Sequence, residues 1–175
     1  MYDYLRGRLI EVGPDVVVIE TAGVGYQLLV SGATSSRLPA VGSDDATLYV
    51  LDMVRDDRPT LYGFASREER LLFERLLGVP KVGPTTALGL LSALEPGVLA
   101  GAVNAGDTTA LARVKGVGKR TAERLCVDLK GRLDHLTALP GAITDARVSV
   151  TSALVALGYP RPVAERAADA ACPQA

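Results

Sequence analysis

Along the first 64 residues apolar and polar positions alternate in short runs broken by turn residues, the period-two pattern of half-buried strands. The runs predict strands at 5–12 (LRGRLIEV), 16–20 (VVVIE), 25–30 (GYQLLV), 47–54 (TLYVLDMV) and 60–64 (TLYGF). Gly13-Pro14-Asp15 and Ala22-Gly23 supply tight connections, and the polar stretch from Ser31 to Asp45 supplies a longer one. Five short strands in so short a segment suggest a small barrel, because closing the sheet removes its exposed edges; an SH3-like barrel is among the forms open to it.

At Ser66 the period changes. SREERLLFERLL opens with an S-x-x-E capping box, Ser66 and Glu69, and then places Leu71, Leu72, Phe73, Leu76 and Leu77 on one side of a helix. Helical signals continue to Leu133. Pro84 suits a first helical turn, Asp107 suits an N-cap ahead of TTALARV, and a helix is expected from Lys119 through Leu133. Residues 134–146 hold a Pro-Gly and little periodicity and are expected to form a linker. Beyond it two short helices are expected, Gly158 ending the first and Pro162 starting the second.

Laid over itself with a shift of 35 residues, the helical segment matches: Leu76, Val79, Val82, Gly83, Thr86, Ala87 and Leu90 recur as Leu111, Val114, Val117, Gly118, Thr121, Ala122 and Leu125. The repeated unit is helix, tight V-G turn, helix. Two copies are too few for a solenoid, so a paired module is expected. Such a turn suits anion capture, because the first N–H groups of its second helix lack intrahelical partners and a glycine lets a phosphate approach them. Val82 and Val117 are expected to anchor the turns, with Lys119, Arg120 and Arg124 adding positive charge outside.

Composition changes this picture in three places. A nucleotide-binding P-loop is excluded at the second turn, since counting back from Gly118 and Lys119 puts Arg113 at the first glycine position and Arg120 at the hydroxyl position. The two cysteines, Cys126 and Cys172, and the single histidine, His135, have no metal-ligand spacing, so neither metal nor cofactor is expected. The net charge of −1 conceals a segregation: residues 1–64 hold 5 Lys/Arg against 9 Asp/Glu, while residues 65–134 hold 11 against 8. Fields act over roughly 8 Å at physiological salt, so a ligand meets the basic middle segment and not the average. No apolar run approaches the roughly 20 residues that span a bilayer, and the start MYDYLRGR lacks a signal-peptide core, so a cytoplasmic address is expected.

KGVGKRTAERL at 115–125 with KVGPTTALGLL at 81–91 resembles the tandem helix-hairpin-helix pair of the RuvA family, which binds Holliday junctions in the bacterial RuvAB branch-migration machine. LRGRLIEV, VGYQLLV at 24–30 and MVRDDRPTLYGF at 53–64 are similar to that family's N-terminal domain, and the resemblance runs from about residue 4 to about 160. It implies an α+β multidomain chain: a five-stranded OB-fold barrel at 1–64, an all-α tandem helix-hairpin-helix domain at 65–134, a flexible linker at 135–146, and a small helical domain at 147–175 that meets RuvB. The family assembles as a homotetramer around an open four-way junction, with one tetramer or two per junction left open. Its implied partners are junction DNA, the RuvB ATPase motor and, further off, the RuvC resolvase. It implies a non-catalytic subunit with no ATPase site of its own.

The residues that carry over onto DNA are Lys81, Val82, Gly83, Thr85 and Thr86 in the first hairpin, and Lys115, Gly116, Val117, Gly118, Lys119, Arg120 and Arg124 in the second. Asp56 and Asp57 match the family's acidic pin, which faces the crossover. Lys81 stands where the first hairpin usually has glycine, which implies a differently shaped turn and leaves more of the grip to the second hairpin. The family's terminal domain has three helices, whereas two are legible here, which puts the RuvB contact in question. Two alternatives stand beside this. The turns could merely join core helices with Arg113, Lys115, Lys130 and Arg132 solvated, or the chain could be another helix-hairpin-helix repair protein, a nuclease accessory or excision subunit holding DNA backbone.

Overall fold

The computed structural model of the 175-residue chain describes residues 2–55 and 58–133, together with isolated positions 154, 163 and 167. Five strands, β1 (Tyr4–Val12), β2 (Val16–Thr21), β3 (Val24–Val30), β4 (Ala46–Arg55) and β5 (Arg58–Phe64), form a closed barrel in the order β1-β2-β3-β5-β4. All neighbours are antiparallel except β3 and β5, which run parallel from Leu28 against Leu61 to Val30 against Gly63. This strand order gives the OB arrangement and overturns the SH3-like alternative. Each expected strand is present with its ends moved by one or two residues.

The barrel needs glycine where backbones crowd. A Cβ on Gly7 would lie 1.9 Å from the carbonyl oxygen of Glu20, so β1 can cross β2 closely only without a side chain there. Inside the barrel, Leu9, Val17, Ile19, Leu28 and Leu48 are fully buried, alternating along their strands with outward positions. β5 breaks that alternation because both its faces are covered. Leu61 and Gly63 face the barrel interior, whereas Tyr62 and Phe64 pack outward on the helices.

The connection from Ser31 to Asp45, expected as the longer polar link, is not wholly irregular. It contains a short helix, α1 (Gly32–Arg37), whose N-cap Ser31 accepts a hydrogen bond from the Thr34 N–H. The segment GATSSR has no apolar periodicity, so nothing in its pattern announces a helix; its contacts with other elements hold it.

Between Arg67 and Leu129 five helices follow: α2 (Arg67–Leu77), α3 (Pro84–Ala93), α4 (Pro96–Ala105), α5 (Thr108–Ala112) and α6 (Lys119–Leu129). Ser66 caps α2 by accepting from the Glu69 N–H at 3.2 Å, but the Glu69 carboxylate takes the Ala65 N–H at 3.0 Å in place of Ser66's own. Leu72, Phe73 and Leu76 are the fully buried apolar positions of α2, with Leu71 and Leu77 half-buried at the sides of that stripe. The helix expected through Leu133 stops at Leu129. Gly131 takes a left-handed φ of 71°, which turns the chain out of the helix, while Leu133 still reaches the core.

One apolar cluster joins the helices to the outside of β5. The Phe73 ring centroid lies 5.1 Å from that of Tyr62 and 5.0 Å from that of Phe64, and each buried aromatic of this kind contributes about 1.5–3 kcal/mol. Polar contacts add direction to that joint. Arg70 donates to the Asp3 carboxylate at 2.7 Å and to the Asp3 carbonyl at 3.0 Å, and Arg67 donates to the same carboxylate at 3.0 Å.

Candidate nucleic-acid interface

The sequence repeat is a structural repeat down to its hydrogen bonds. In the first turn Val79 N–H donates to Leu76 O at 3.1 Å and Val82 N–H to Val79 O at 3.0 Å; in the second, Val114 donates to Leu111 at 3.2 Å and Val117 to Val114 at 3.0 Å. Each second helix then begins from a glycine cap in extended backbone, Gly83 with φ −97° and Gly118 with φ −85°. Ala87 N–H donates to Gly83 O and Ala122 N–H to Gly118 O, both at 2.9 Å. Val82 and Val117 are buried, as anchors of such turns must be.

The first hairpin keeps this shape despite Lys81. Lys81 takes φ 71° where Gly116 takes φ 90°, so the turn expected to differ is the same turn, made with a residue that fits it less well. For a side-chain-bearing residue that left-handed conformation costs about 1–2 kcal/mol.

The two turns lie side by side. A Cβ on Gly116 would stand 3.8 Å from Thr86 Oγ1, and one on Gly89 would stand 3.7 Å from the Lys115 carbonyl oxygen. Thr85 is exposed, and Thr86 and Gly83 are half-exposed. Their chemistry differs in donors and charge. Pro84 removes an N–H from the first turn of α3, whereas Lys119 keeps its N–H and adds an ammonium. In α6 the first helical bonds are donated by Thr121 and Ala122, which leaves the N–H groups of Lys119 and Arg120 ahead of the ladder, at the positive end of the helix.

Among the described residues, every cation with a carboxylate partner lies on the barrel or on its joint with the helices. On the barrel and its joint, Arg6, Arg8, Arg37, Arg67 and Arg70 all have carboxylate partners: Asp45, Asp44, Glu95, and Asp3 for the last two. Arg113, Lys115, Lys119, Arg120 and Arg124 are exposed and, among the described residues, have no ion pair; nor does Lys81. Even Glu123 and Asp128, one turn from Lys119 and Arg124 on α6, do not close a bridge to them. Free cations and free N–H donors therefore converge on the second turn, where a phosphodiester would meet both. Lys130 and Arg132 are exposed just past the end of α6.

Asp56 and Asp57 lie outside the described residues, as do His135, Cys172, the expected linker and most of the expected terminal helices; the described flanks are Arg55 at the end of β4 and Arg58 at the start of β5. Cys126 is half-buried on α6, and burial pushes its thiol above the ordinary value, which keeps it a packing residue at neutral pH. The residues that sequence patterning missed are Ser31, Thr34 and Ser92, which tie the barrel to the hairpins. Their signal was absent because each acts through a partner far along the chain.

A closed OB barrel docked on a paired helix-hairpin-helix module defines a barrel-and-hairpin protein of the kind that meets a polyanion through its turns. The comparisons give that class a family. Residues 1–63 match the RuvA N terminal domain, and residues 73–131 match the SAM-like helix-hairpin-helix tandem. The chain is 43% identical over 98% of its length to a Holliday junction branch migration complex subunit RuvA of Acidobacterium capsulatum, of which it covers 88%. It is 44% identical to that of Symbiobacterium thermophilum, over 92% of this chain and 83% of the relative, and 41% identical to that of Stutzerimonas stutzeri, over 97% and 90%. The chain belongs to the RuvA family.

Proposed function

We propose that this chain is the junction-recognition subunit of a branch-migration complex: it binds four-way DNA junctions by their shape, holds them open, and positions the RuvB ATPase for branch migration in recombination and repair. The observation that carries this is the doubled turn, two hairpins with one hydrogen-bond pattern and unpaired cations at the second. The shared name of the relatives points the same way. Backbone N–H groups near Gly83, Thr85, Thr86, Gly118, Lys119 and Arg120 would take phosphate oxygens, with Lys81, Lys115, Lys119, Arg120 and Arg124 adding charge. Contacts of this kind carry no base information, so recognition rests on where the phosphates stand.

A homotetramer would present the paired turns to every arm of an open junction, and a second tetramer could close on the opposite face. Fourfold assembly would gather Asp56 and Asp57 of each copy near the crossover, where they repel phosphates and disfavour continuous duplex. The C-terminal segment from 147 would meet RuvB, RuvC would act on the same junction, and the assembly would work in the cytoplasm. Among the described residues no single helix is long and apolar enough to cross a membrane. Motor work would come from RuvB; ATP hydrolysis by the purified chain would contradict that assignment.

The test is Lys119→Glu with Arg120→Glu. Junction binding at moderate salt should disappear while the circular dichroism spectrum and unfolding midpoint stay near those of the parent. Unchanged binding would remove the second hairpin from the interface. Mg²⁺-dependent cutting of labelled junctions by the parent would favour the nuclease alternative instead.

A further inference from the structure

The short helix α1 touches more of the hairpin module than its length suggests. Glu69, near the start of α2, is 1% exposed and its carboxylate is fully engaged: the Thr34 hydroxyl donates to Oε1 at 2.9 Å, the Ser31 hydroxyl lies 3.1 Å from the same oxygen, and Ala65 N–H donates to Oε2 at 3.0 Å. The Gly32 N–H donates to Ser92 Oγ on α3 at 2.9 Å, and Arg37 bridges to Glu95, the N-cap of α4. One six-residue helix of the barrel thus holds the leading ends of α2 and α4 and the far end of α3. The larger joint, Phe73 against Tyr62 and Phe64 with Arg67 and Arg70 on Asp3 at its edge, holds the parts together through apolar contact and partly exposed ion pairs, which solvent weakens. Buried hydrogen bonds to a carboxylate are directional, and losing one leaves a desolvated group without a partner.

We propose that α1 and Glu69 form a strut that fixes the orientation of the paired hairpins relative to the barrel, with Glu69 as a positioning residue that never touches DNA. Resting on the junction-binding function proposed above, the strut sets junction preference. A four-way junction must be met at several phosphate positions at once, so loosening the strut lowers the gain from simultaneous engagement. Duplex held by one pair of turns needs no such alignment.

The geometry supplies its own lock. A Cβ on Gly32 would lie 3.9 Å from Ser92 Cβ, close to the spacing of disulfide-bonded cysteines. The test protein carries Glu69→Gln, which keeps side-chain volume, with Gly32→Cys and Ser92→Cys, and has Cys126 and Cys172 changed to serine. Reduced, it lacks the charged acceptor and the serine contact; oxidised, α1 and α3 are tied covalently. Two readouts are taken in both states. Residual dipolar couplings report the orientation of the barrel relative to the helices without DNA, and titrations at one fixed salt give junction and duplex affinities.

The reduced protein should need a second alignment tensor for the helices and should bind junction at least about tenfold more weakly with duplex affinity unchanged; the oxidised protein should return to one tensor and to parental preference. A single shared tensor in the reduced protein overturns the strut, whatever DNA does. So does a parallel fall of both affinities, or a preference that oxidation leaves unrestored. A parent chain with no preference for junctions over duplex would instead overturn the proposed function, and the couplings alone then decide the strut.

Discussion

Lys81 and Gly116 occupy the same backbone position in the two hairpins, both with positive φ, 71° and 90° respectively. A lysine there is strained, and it is the sole cation in a turn whose continuing helix starts Pro-Thr-Thr. Strain held at a turn of this kind points to a role for the side chain, here a charge that the first hairpin otherwise lacks.

Lys81→Gly therefore separates stability from binding. Relief of the left-handed strain, partly offset by the extra freedom of glycine in the unfolded chain, should raise stability by roughly 0.5–1 kcal/mol. Junction affinity should fall at the same time. Chemical denaturation and a binding titration on the same preparation check both, and a destabilised variant would contradict the strain.

Two barrel glycines should be intolerant for different reasons. Gly7→Ala would drive a methyl into the Glu20 carbonyl oxygen, a backbone atom that cannot step aside, so the barrel should fail to close normally. Gly63→Ala meets the side chains of Leu28 and Val30 at 3.1–3.2 Å, an overpacking that should cost about 1–3 kcal/mol. Thermal unfolding should rank Gly7→Ala well below Gly63→Ala, and an equal or reversed order would contradict the packing described.

Acid should loosen the joint between barrel and helices. The Arg70 hydrogen bond, aided by the charges of Arg67 and Arg70, holds the Asp3 carboxyl below its ordinary value of 3.8. A carboxylate with a lowered native value adds stability that is complete above the ordinary value and is lost as pH falls through the lowered one. The acid limb of the stability profile below about pH 4 should accordingly be shallower in Asp3→Asn than in the parent. Parallel limbs would show that the Arg70 pair adds nothing.

Much of the fold could be read from the sequence because its signals are local. Alternation located all five strands, and Ser66, Pro84 and Asp107 marked helix starts where helices begin. The repeat placed Val82 and Val117 as buried anchors and paired Lys81 with Gly116. What could not be read depends on distant partners. The parallel β3–β5 pairing leaves no trace in either strand, α1 lacks an apolar stripe, and the Glu69 carboxylate is satisfied by hydroxyls 35 and 38 residues away. Helix α6 ends early at a glycine that propensity alone tolerates.

The acidic pair makes an inverse prediction. If Asp56 and Asp57 repel DNA at the crossover, changing both to asparagine should keep or raise junction affinity and raise duplex affinity by a larger factor. Discrimination would shrink. Side-by-side titrations at one salt concentration check this, and an unchanged ratio of the two affinities would remove the acidic pair from the crossover.

The claim that the second hairpin grips phosphates is tested most directly by the salt dependence of junction binding. Each phosphate neutralised releases counterions, so the logarithm of affinity falls linearly with the logarithm of salt, by about 0.9 per contact on duplex DNA. Lys119→Gln with Arg120→Gln removes charge without adding repulsion. The account predicts a weaker complex whose slope is shallower by about 0.9 for each of the two cations lost per chain. A slope equal to that of the parent would mean that Lys119 and Arg120 do not meet the backbone, and would contradict it.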